Sequence, residues 1–216
     1  MNNEKPSGIL TGPNLLSCID ELSLQDHDDL THCTQIATHS ADMACSRFVD
    51  STKWLDEYVT TLNFLGWSVF QDTIFTRTRH DVSKSVADFL IQRAQAMPDH
   101  RQGNAMIDTL DALKPDKPAV VSLDEESLLG NHFQVIPARY DSKGVLQIAV
   151  FNLELVADTK KSNFLFLGRE GHAAKIIQQG AYLKLDKNIL ETKRALIEKK
   201  RSEIKAKRFD LWKNKR

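Results

Sequence analysis

The 216-residue chain is predicted to adopt an α+β fold, and three patterns support this class. Apolar residues recur every three to four positions before residue 118, which is typical of amphipathic helices. Apolar and polar residues alternate over much of 132–185, which is typical of strands. The segment after residue 186 lacks Gly and Pro and is rich in Lys, Glu, Leu and Ile. We therefore expect a helical N-terminal half packed on an antiparallel β-meander or sandwich, and a long basic C-terminal helix.

The expected organisation is one compact domain overall with four segments. Prolines and glycines without periodicity make residues 1–14 a predicted disordered leader. The two prolines of Lys114-Pro-Asp-Lys-Pro118 predict an extended connection that separates the halves. The segments are then the leader 1–14, a helical region 15–118, an antiparallel β region 119–185 and a basic C-terminal helix 186–216.

The helical region is expected to centre on one long helix from about residue 28 to 65. Its apolar face contains small residues first and aromatic residues later, and Gly66 follows as a helix-ending residue. A short helix is predicted to begin at Leu15, and further helices are predicted at 81–97 and 104–113. The residues of the long apolar face are Cys33, Ala37, Ala41, Ala44, Phe48, Trp54, Leu55, Tyr58, Val59 and Leu62.

The β region is expected to begin after one short helix, because Ser122 and Glu125 have capping-box spacing. Two alternating runs around the Asp141–Gly144 turn predict a hairpin. The predicted strands are 133–140, 145–156, 164–167 and a last pair, 174–178 and 181–185. Asn152 and Glu154 share a face with apolar residues of the second run, so that face is expected to become exposed near the strand end.

Charge is distributed unevenly along a chain whose formal net charge is zero. Residues 184–216 contain 13 Lys and Arg against 5 Asp and Glu, a net charge of +8, so residues 1–183 carry −8. An asymmetry of this kind indicates an interaction tail.

The apolar stripe of the basic helix divides it into two parts. Ile189 and Leu196 widen the stripe only in the first half, which is therefore expected to dock on the sheet, while the second half keeps its cations available. Leu190, Ile197, Ile204 and Leu211 form the stripe at seven-residue steps. The predicted partner-binding residues are Lys199, Lys200, Arg201, Lys205, Lys207, Arg208 and Trp212.

Four kinds of surface suit such a helix. An acidic partner protein and the acidic body of the chain itself would both attract it. The cations would also neutralise phosphates of a nucleic acid, and Phe209 and Trp212 would enter the interface of an anionic membrane. The sequence leaves these alternatives and the oligomeric state open.

Catalytic and metal sites are not predicted. Asp28, His32 and His39 lie near one helical face, but without a strict ligand motif they are interpreted as a polar flank. Cys33 and Cys45 lie on or beside the apolar face and are interpreted as buried thiols. Adjacent acidic residues are interpreted as solvated, and no phosphate-binding glycine motif is present. We therefore expect no cofactor; an enzyme with a site built from scattered residues is the remaining alternative.

Location in the cytosol is expected, because no apolar run approaches the length of a membrane-spanning helix and no secretory signal peptide is visible. Export without a cleaved signal would leave no trace in the sequence.

The segments Trp54-Leu-Asp-Glu-Tyr58 and Leu62-Asn-Phe-Leu-Gly-Trp67 resemble part of the accessory proteins encoded beside bacterial α-helical pore-forming toxins, such as the motility-associated killing factor cluster. The resemblance covers about a fifth of the chain. It implies a small protein that serves a toxin system and supplies no catalytic residues. The expected function is therefore that of a non-enzymatic accessory protein that binds a partner protein through the basic helix, with toxin components as the candidate partners.

Overall fold

The computed structural model describes residues 7–18, 22–70, 75–79, 85–97, 100–157, 162–168 and 174–213, but not the side chains of residues 7, 18, 75, 77 and 205–213. These ranges contain six helices and seven strands. In chain order they are β1 (Ser7–Thr11), β2 (Asn14–Cys18), α1 (Leu24–Ala44), α2 (Ser51–Phe64), β3 (Trp67–Val69), β4 (Phe75–Arg79), α3 (Val86–Gln95), α4 (His100–Leu113), α5 (Lys117–Glu126), β5 (Phe133–Tyr140), β6 (Leu146–Ala157), β7 (Ala174–Leu185) and α6 (Lys187–Lys213).

The strands form one mixed sheet in the order β1-β2-β5-β6-β7, and the outer edge of β7 pairs with both β3 and β4. The β2–β5 pairing is parallel, and the other pairings within the described ranges are antiparallel. The longest pairing joins β6 to β7, from Gln147 opposite Lys184 to Ala157 opposite Ala174. The predicted α+β class is confirmed.

Helices cover both faces of this sheet. Alternate residues of β6 point to opposite layers: Ile148 and Val150 pack with α1, α2 and α6, while Ala149 and Phe151 pack with α3, α4 and α5. A strand buried on both faces reads as a nearly continuous apolar run, as β6 does.

The predictions of a disordered leader and of a helix that begins at Leu15 are wrong for residues 7–18, the part of this segment that the structure describes. Residues 7–18 form the β1–β2 hairpin, whose tight turn contains Gly12 in the left-handed region at φ 57°. Leu15 and Leu16 point to opposite layers of the core, as adjacent residues of a strand do. Residues 1–6 lie outside the description.

The predicted long helix is two helices, α1 and α2. The Asp50 side chain accepts a hydrogen bond from the backbone N–H of Lys53 at 2.9 Å and so caps the start of α2. The expected apolar face is retained except at Ala44, which is exposed, and at Phe48, which lies in the link and is 43% exposed. Gly66 follows the end of α2 at φ 105°, as predicted.

The remaining helices differ from prediction mainly at their starts. Ser85 caps α3 with a capping box, and residues 81–84 of the predicted helix lie outside the description. Asp116 caps α5, so Pro118 lies in its first turn and the predicted extended connection is wrong there. The predicted cap at Ser122 lies inside that helix.

The β-meander contains fewer strands than predicted. Residues 164–167 form a turn, and β7 continues through Gly180 as one strand because it pairs with β6 along its whole length. The prediction of a helix from residue 186 is confirmed over 187–213, and residues 214–216 lie outside the description.

Candidate interaction surface on the C-terminal helix

The start of α6 is fixed to the end of α2. The backbone N–H of Asp186 donates to the carbonyl of Gly66 at 2.8 Å, and the Asp186 carboxylate accepts from the N–H groups of Asn188 and Ile189. A Cβ on Gly66 would lie 3.0 Å from the backbone nitrogen of Leu190. Gly66 therefore allows the first turn of α6 to lie directly against the α2–β3 junction.

The first half of α6 docks chiefly on α1, through ion pairs and apolar contacts, where docking on the sheet was predicted. Lys187 contacts the buried Asp26 at 3.0 Å, and Leu190 and Ile197 enter the core. Asp26 also accepts hydrogen bonds from Tyr140 and Ser23. Burial alone would raise the pKa of the Asp26 carboxyl, but the hydrogen bonds from Tyr140, Lys187 and Ser23 outweigh it, and the pKa is lowered.

The second ion pair lies one turn further along α1. Arg194 donates from Nη1 to Oδ1 of the buried Asp29 at 2.8 Å and from Nη2 to Oδ2 at 3.2 Å, and it also pairs with Glu191. Its hydrogen bonds to Glu191 and Asp29 raise the pKa of Arg194 above its ordinary range. The earlier residue of α6, Lys187, pairs with the earlier residue of α1, Asp26, and the later Arg194 pairs with the later Asp29. The two helices therefore run in the same direction.

The predicted partner-binding residues begin where the ion pairs to α1 end, although Ile204 still packs against the core. Lys199 and Lys200 are exposed, and Lys200 forms a surface pair with Glu203 at 3.1 Å. Arg201 pairs with Glu198 at 3.5 Å. Burial and the charge of Arg201 lower the pKa of His32 in α1. The side chains of Lys205, Lys207, Arg208 and Trp212 lie outside the description.

An open apolar groove lies beside these cations, between α1, α2 and α6. Its volume is about 550 Å³. Met43 and Phe64 remain 70% and 53% exposed at its mouth, and Lys193 lies 4.2 Å from the centre of the Phe64 ring. Sequence reasoning missed this groove. Ile36, Ser40 and Met43 follow each other at helical steps, beside the small residues of the predicted apolar face.

A row of buried amides crosses the sheet under α1 and α2. Gln134 Nε2 donates to Asn152 Oδ1 at 2.8 Å, and Asn152 Nδ2 donates to Gln179 Oε1 at 3.0 Å. Gln179 Nε2 then donates to Thr52 Oγ1 at 2.6 Å. The prediction that this face is exposed is therefore wrong at Asn152, which is 2% exposed.

His132 closes the other end of the amide row. Its Nδ1 lies 3.2 Å from Gln134 Nε2, so the amide donates and the proton is assigned to Nε2. Burial and the charge of Arg47 lower the pKa of His132 to about 3. The Trp54 ring packs edge-on against it at 4.8 Å. These neutral groups hydrogen-bond one another and fix the helical layer on the sheet.

The candidate metal and nucleophile residues are dispersed. Asp28 is exposed while His32 and His39 are half-buried, and we find no group of three metal-ligating side chains in the described ranges. Cys33 is buried, as predicted, and burial raises the pKa of its thiol to about 12. Cys45 is only half-buried.

Two acidic residues interpreted as solvated are in fact buried. Asp29 pairs with Arg194, and Asp124 accepts hydrogen bonds from the backbone N–H groups of Asn163 and Phe164. Both carboxylates therefore connect separate parts of the fold.

Among the helices described, we find none that combines the length and the apolar composition needed to cross a membrane.

Comparison with known proteins gives distant structural likeness alone. No family model matches the chain, and no curated protein matches it in sequence. A solved structure named delta-endotoxin is similar at a TM-score of 0.42 and 11% identity, over 82% of this chain and 84% of that chain. The structure of the Evf virulence factor is similar at a TM-score of 0.36 and 10% identity, over 88% of this chain and 82% of that chain. These distant neighbours are a toxin and a virulence factor.

Proposed function

We propose that this chain is a non-enzymatic accessory protein that binds a partner protein through the second half of α6. The observation that carries the proposal is the division of α6. Lys187 and Arg194 pair with buried carboxylates of α1, whereas Lys200 pairs with Glu203 of its own helix and Lys199 is exposed. The docked half fixes the helix, and the second half presents cations to solvent.

Electrostatics favour an acidic partner. Residues 198–216 contain nine Lys and Arg against three Asp and Glu, a net charge of +6. A cluster of one sign accelerates encounter with a surface of the opposite sign and disfavours partners of like charge.

The apolar groove supports a protein as the partner. Stable protein interfaces combine an apolar centre with a polar rim, whereas contact with phosphates requires cations alone. Met43 and Phe64 provide exposed apolar surface beside Lys193 and Lys200. The polar groups with structural roles, Asp29, Asp124 and the amide row, support a non-enzymatic role because they stabilise the fold.

We place the partner among the components of a bacterial toxin system. This step is supported by the resemblance of residues 54–67 to accessory proteins of such systems. Trp54, Tyr58, Leu62 and Trp67 are all fully buried, so the resembling segment builds the core behind the groove. The products of genes adjacent to this one are therefore the first proteins to test.

The test compares two charge reversals in the full chain. The variant Lys199→Glu/Lys200→Glu changes the proposed surface, and Lys114→Glu/Lys117→Glu makes the same charge change at exposed positions of the opposite helical layer. Binding to the purified adjacent gene products is measured by biolayer interferometry. Duplex DNA and phosphatidylserine-containing vesicles are measured in parallel.

We expect the first variant to weaken binding to an adjacent gene product by about tenfold or more, and the control to leave it unchanged. Equal binding by both variants would contradict the proposal. Binding to DNA or vesicles alone would also contradict it, and would show a steep loss of affinity between about 50 and 200 mM salt.

A further inference from the structure

The groove between α1, α2 and α6 has the dimensions of a short helix-binding site. Residues 36–43 of α1, 57–65 of α2 and 196–204 of α6 line it. Eight or nine helical residues span roughly 12 Å at 1.5 Å per residue. Apolar anchors at positions i, i+3 or i+4, and i+7 of a bound helix cover nearly the same distance.

The lining of the groove suits such anchors. Most of its lining surface is apolar, although six of the lining residues are polar or charged: His39, Ser40, Glu57, Thr60, Thr61 and Lys200. The apolar lining residues are Ile36, Met43, Phe64, Leu65, Leu196, Ile197 and Ile204.

The C-terminal end of the same chain cannot occupy the groove in this structure. Leu196 and Ile204 form one wall, and the backbone stays helical from there to Lys213. Because a helix advances along its axis, the residues after Ile204 lie beyond the wall that the earlier side chains of α6 form, and not inside the groove.

The charges beside the groove favour an acidic segment as its occupant. The groove runs along α6 towards its C-terminal end, where Lys200 lines it. On the α6 side, Lys193 also lies against the lining residue Phe64 and Lys199 is exposed, whereas Glu57 carries the opposite charge on the α2 wall. A second copy of α6 would bring like charge to this end, whereas Asp and Glu would be attracted.

We infer that the groove binds an amphipathic helix of a partner protein, with apolar anchors at i, i+3 or i+4 and i+7 and with acidic residues on the flank that faces α6. The inference rests on the proposed function and identifies the chemistry of the partner segment. Apolar contacts supply most of the affinity, and the acidic flank fixes the orientation of the bound helix.

The test is a display selection on the full chain, with a library of amphipathic helices about 18 residues long whose apolar and charged positions are randomised. Enriched peptides are synthesised, and their affinities are measured by fluorescence anisotropy. The groove variants are Met43→Arg and Thr60→Arg. The matched control is Val121→Arg, at a half-exposed apolar position of α5 in the opposite helical layer.

We expect enriched helices to be acidic, to lose about 30-fold in affinity with either groove variant, and to bind the control as they bind the native chain. Three outcomes would overturn the inference: no enrichment, enrichment of neutral or basic helices, or equal binding by the groove variants. Self-association of the chain, or vesicle binding, that only the groove variants lose would also overturn it, because the groove would then have another occupant.

Failure of this inference is distinguishable from failure of the proposed function. If Lys199→Glu/Lys200→Glu weakens binding of the natural partner and Met43→Arg does not, the result supports the proposed cationic surface and contradicts the inferred groove site. If the selected acidic helices bind the groove but the charge reversal leaves the affinity of the natural partner unchanged, the result contradicts the proposed function.

Discussion

The guanidinium of Arg194 in α6 makes two hydrogen bonds to the carboxylate of Asp29 in α1, and that carboxylate is 4% exposed. This pair separates the two halves of the basic helix. Up to this pair, α6 is joined to α1 by ion pairs, and beyond it Ile197 and Ile204 still contact the core while Lys199 and Lys200 face solvent. The acidic body thus engages the first half of the helix and leaves the next cations exposed.

Arg194→Ala should destabilise the fold far more than Arg201→Ala, although both remove a guanidinium from the same helix. The first change leaves the buried Asp29 without its cation, and we expect a loss of about 2–3 kcal/mol in the free energy of unfolding. The second removes a pair with the exposed Glu198 and should cost about 0.5 kcal/mol or less. Urea denaturation of both variants checks this, and equal losses would refute the role given to Arg194.

Gly66→Ala should lower stability more than Gly144→Ala. Both glycines have positive φ, at 105° and 76°, so both substitutions strain the backbone. At Gly66 the added Cβ also meets backbone atoms of Leu190 and Asp186 at 3.0 and 3.1 Å, while at Gly144 it meets nothing within 4 Å. We expect about 1 kcal/mol at Gly144 and about 3 kcal/mol at Gly66. Melting temperatures in the opposite order would exclude the close approach of α6.

Asn152→Leu should be strongly destabilising because it breaks the amide row at its centre. Gln134 Nε2 would lose one of its two acceptors and Gln179 Oε1 its donor, and we expect a cost of about 2–4 kcal/mol. Glu154→Leu is the control, since Glu154 is half-buried on the same face of β6. Its effect should be within about 1 kcal/mol. If chemical denaturation shows similar effects for the two variants, the row does not hold the helical layer on the sheet.

Stability should fall as the pH is lowered, with His132 as a major cause. The pKa of His132 is lowered from 6.5 to about 3, so below pH 6.5 the unfolded chain binds a proton that the folded chain does not. The resulting loss is roughly 2 kcal/mol between about pH 7 and pH 4.5. Asp26 contributes only below this window, because its pKa lies under 3.8.

His132→Gln should remove most of that pH dependence while it keeps a polar side chain beside Gln134. Urea denaturation of the native chain and the variant at about pH 7 and about pH 4.5 measures the difference. Parallel pH curves for the two proteins would show that His132 is not the responsible group.

The fold class and the α6 helix follow from periodicity, but the division of the long predicted helix does not. Apolar residues continue at helical steps from Cys33 to Leu62, and the break is specified by the cap at Asp50, a local signal within a longer pattern. The β1–β2 hairpin was missed for a related reason. Five-residue strands carry little periodicity, and β2 is stabilised by its parallel partner β5, more than a hundred residues away.

The charge split predicts where a partner binds, and the contacts between separate segments refine it. Nothing in the local sequence distinguishes Arg194 from Arg201, since each has a Glu three residues before it. Only the fold brings Asp29 to Arg194 and leaves Lys199 exposed. The groove likewise depends on three helices from distant parts of the chain, so it has no sequence motif of its own.

The most direct test of the central claim is photo-crosslinking from the second half of α6 in cells of the source organism. A photo-reactive amino acid replaces Lys200 in the full chain, and a second strain carries it in place of Lys117 as the control. We expect illumination to join the Lys200 position, and not the Lys117 position, to another protein that mass spectrometry shows to have an acidic amphipathic helix. Adducts from Lys200 to nucleic acid, to lipid or to the same chain alone, or the same adducts from both positions, would contradict the claim.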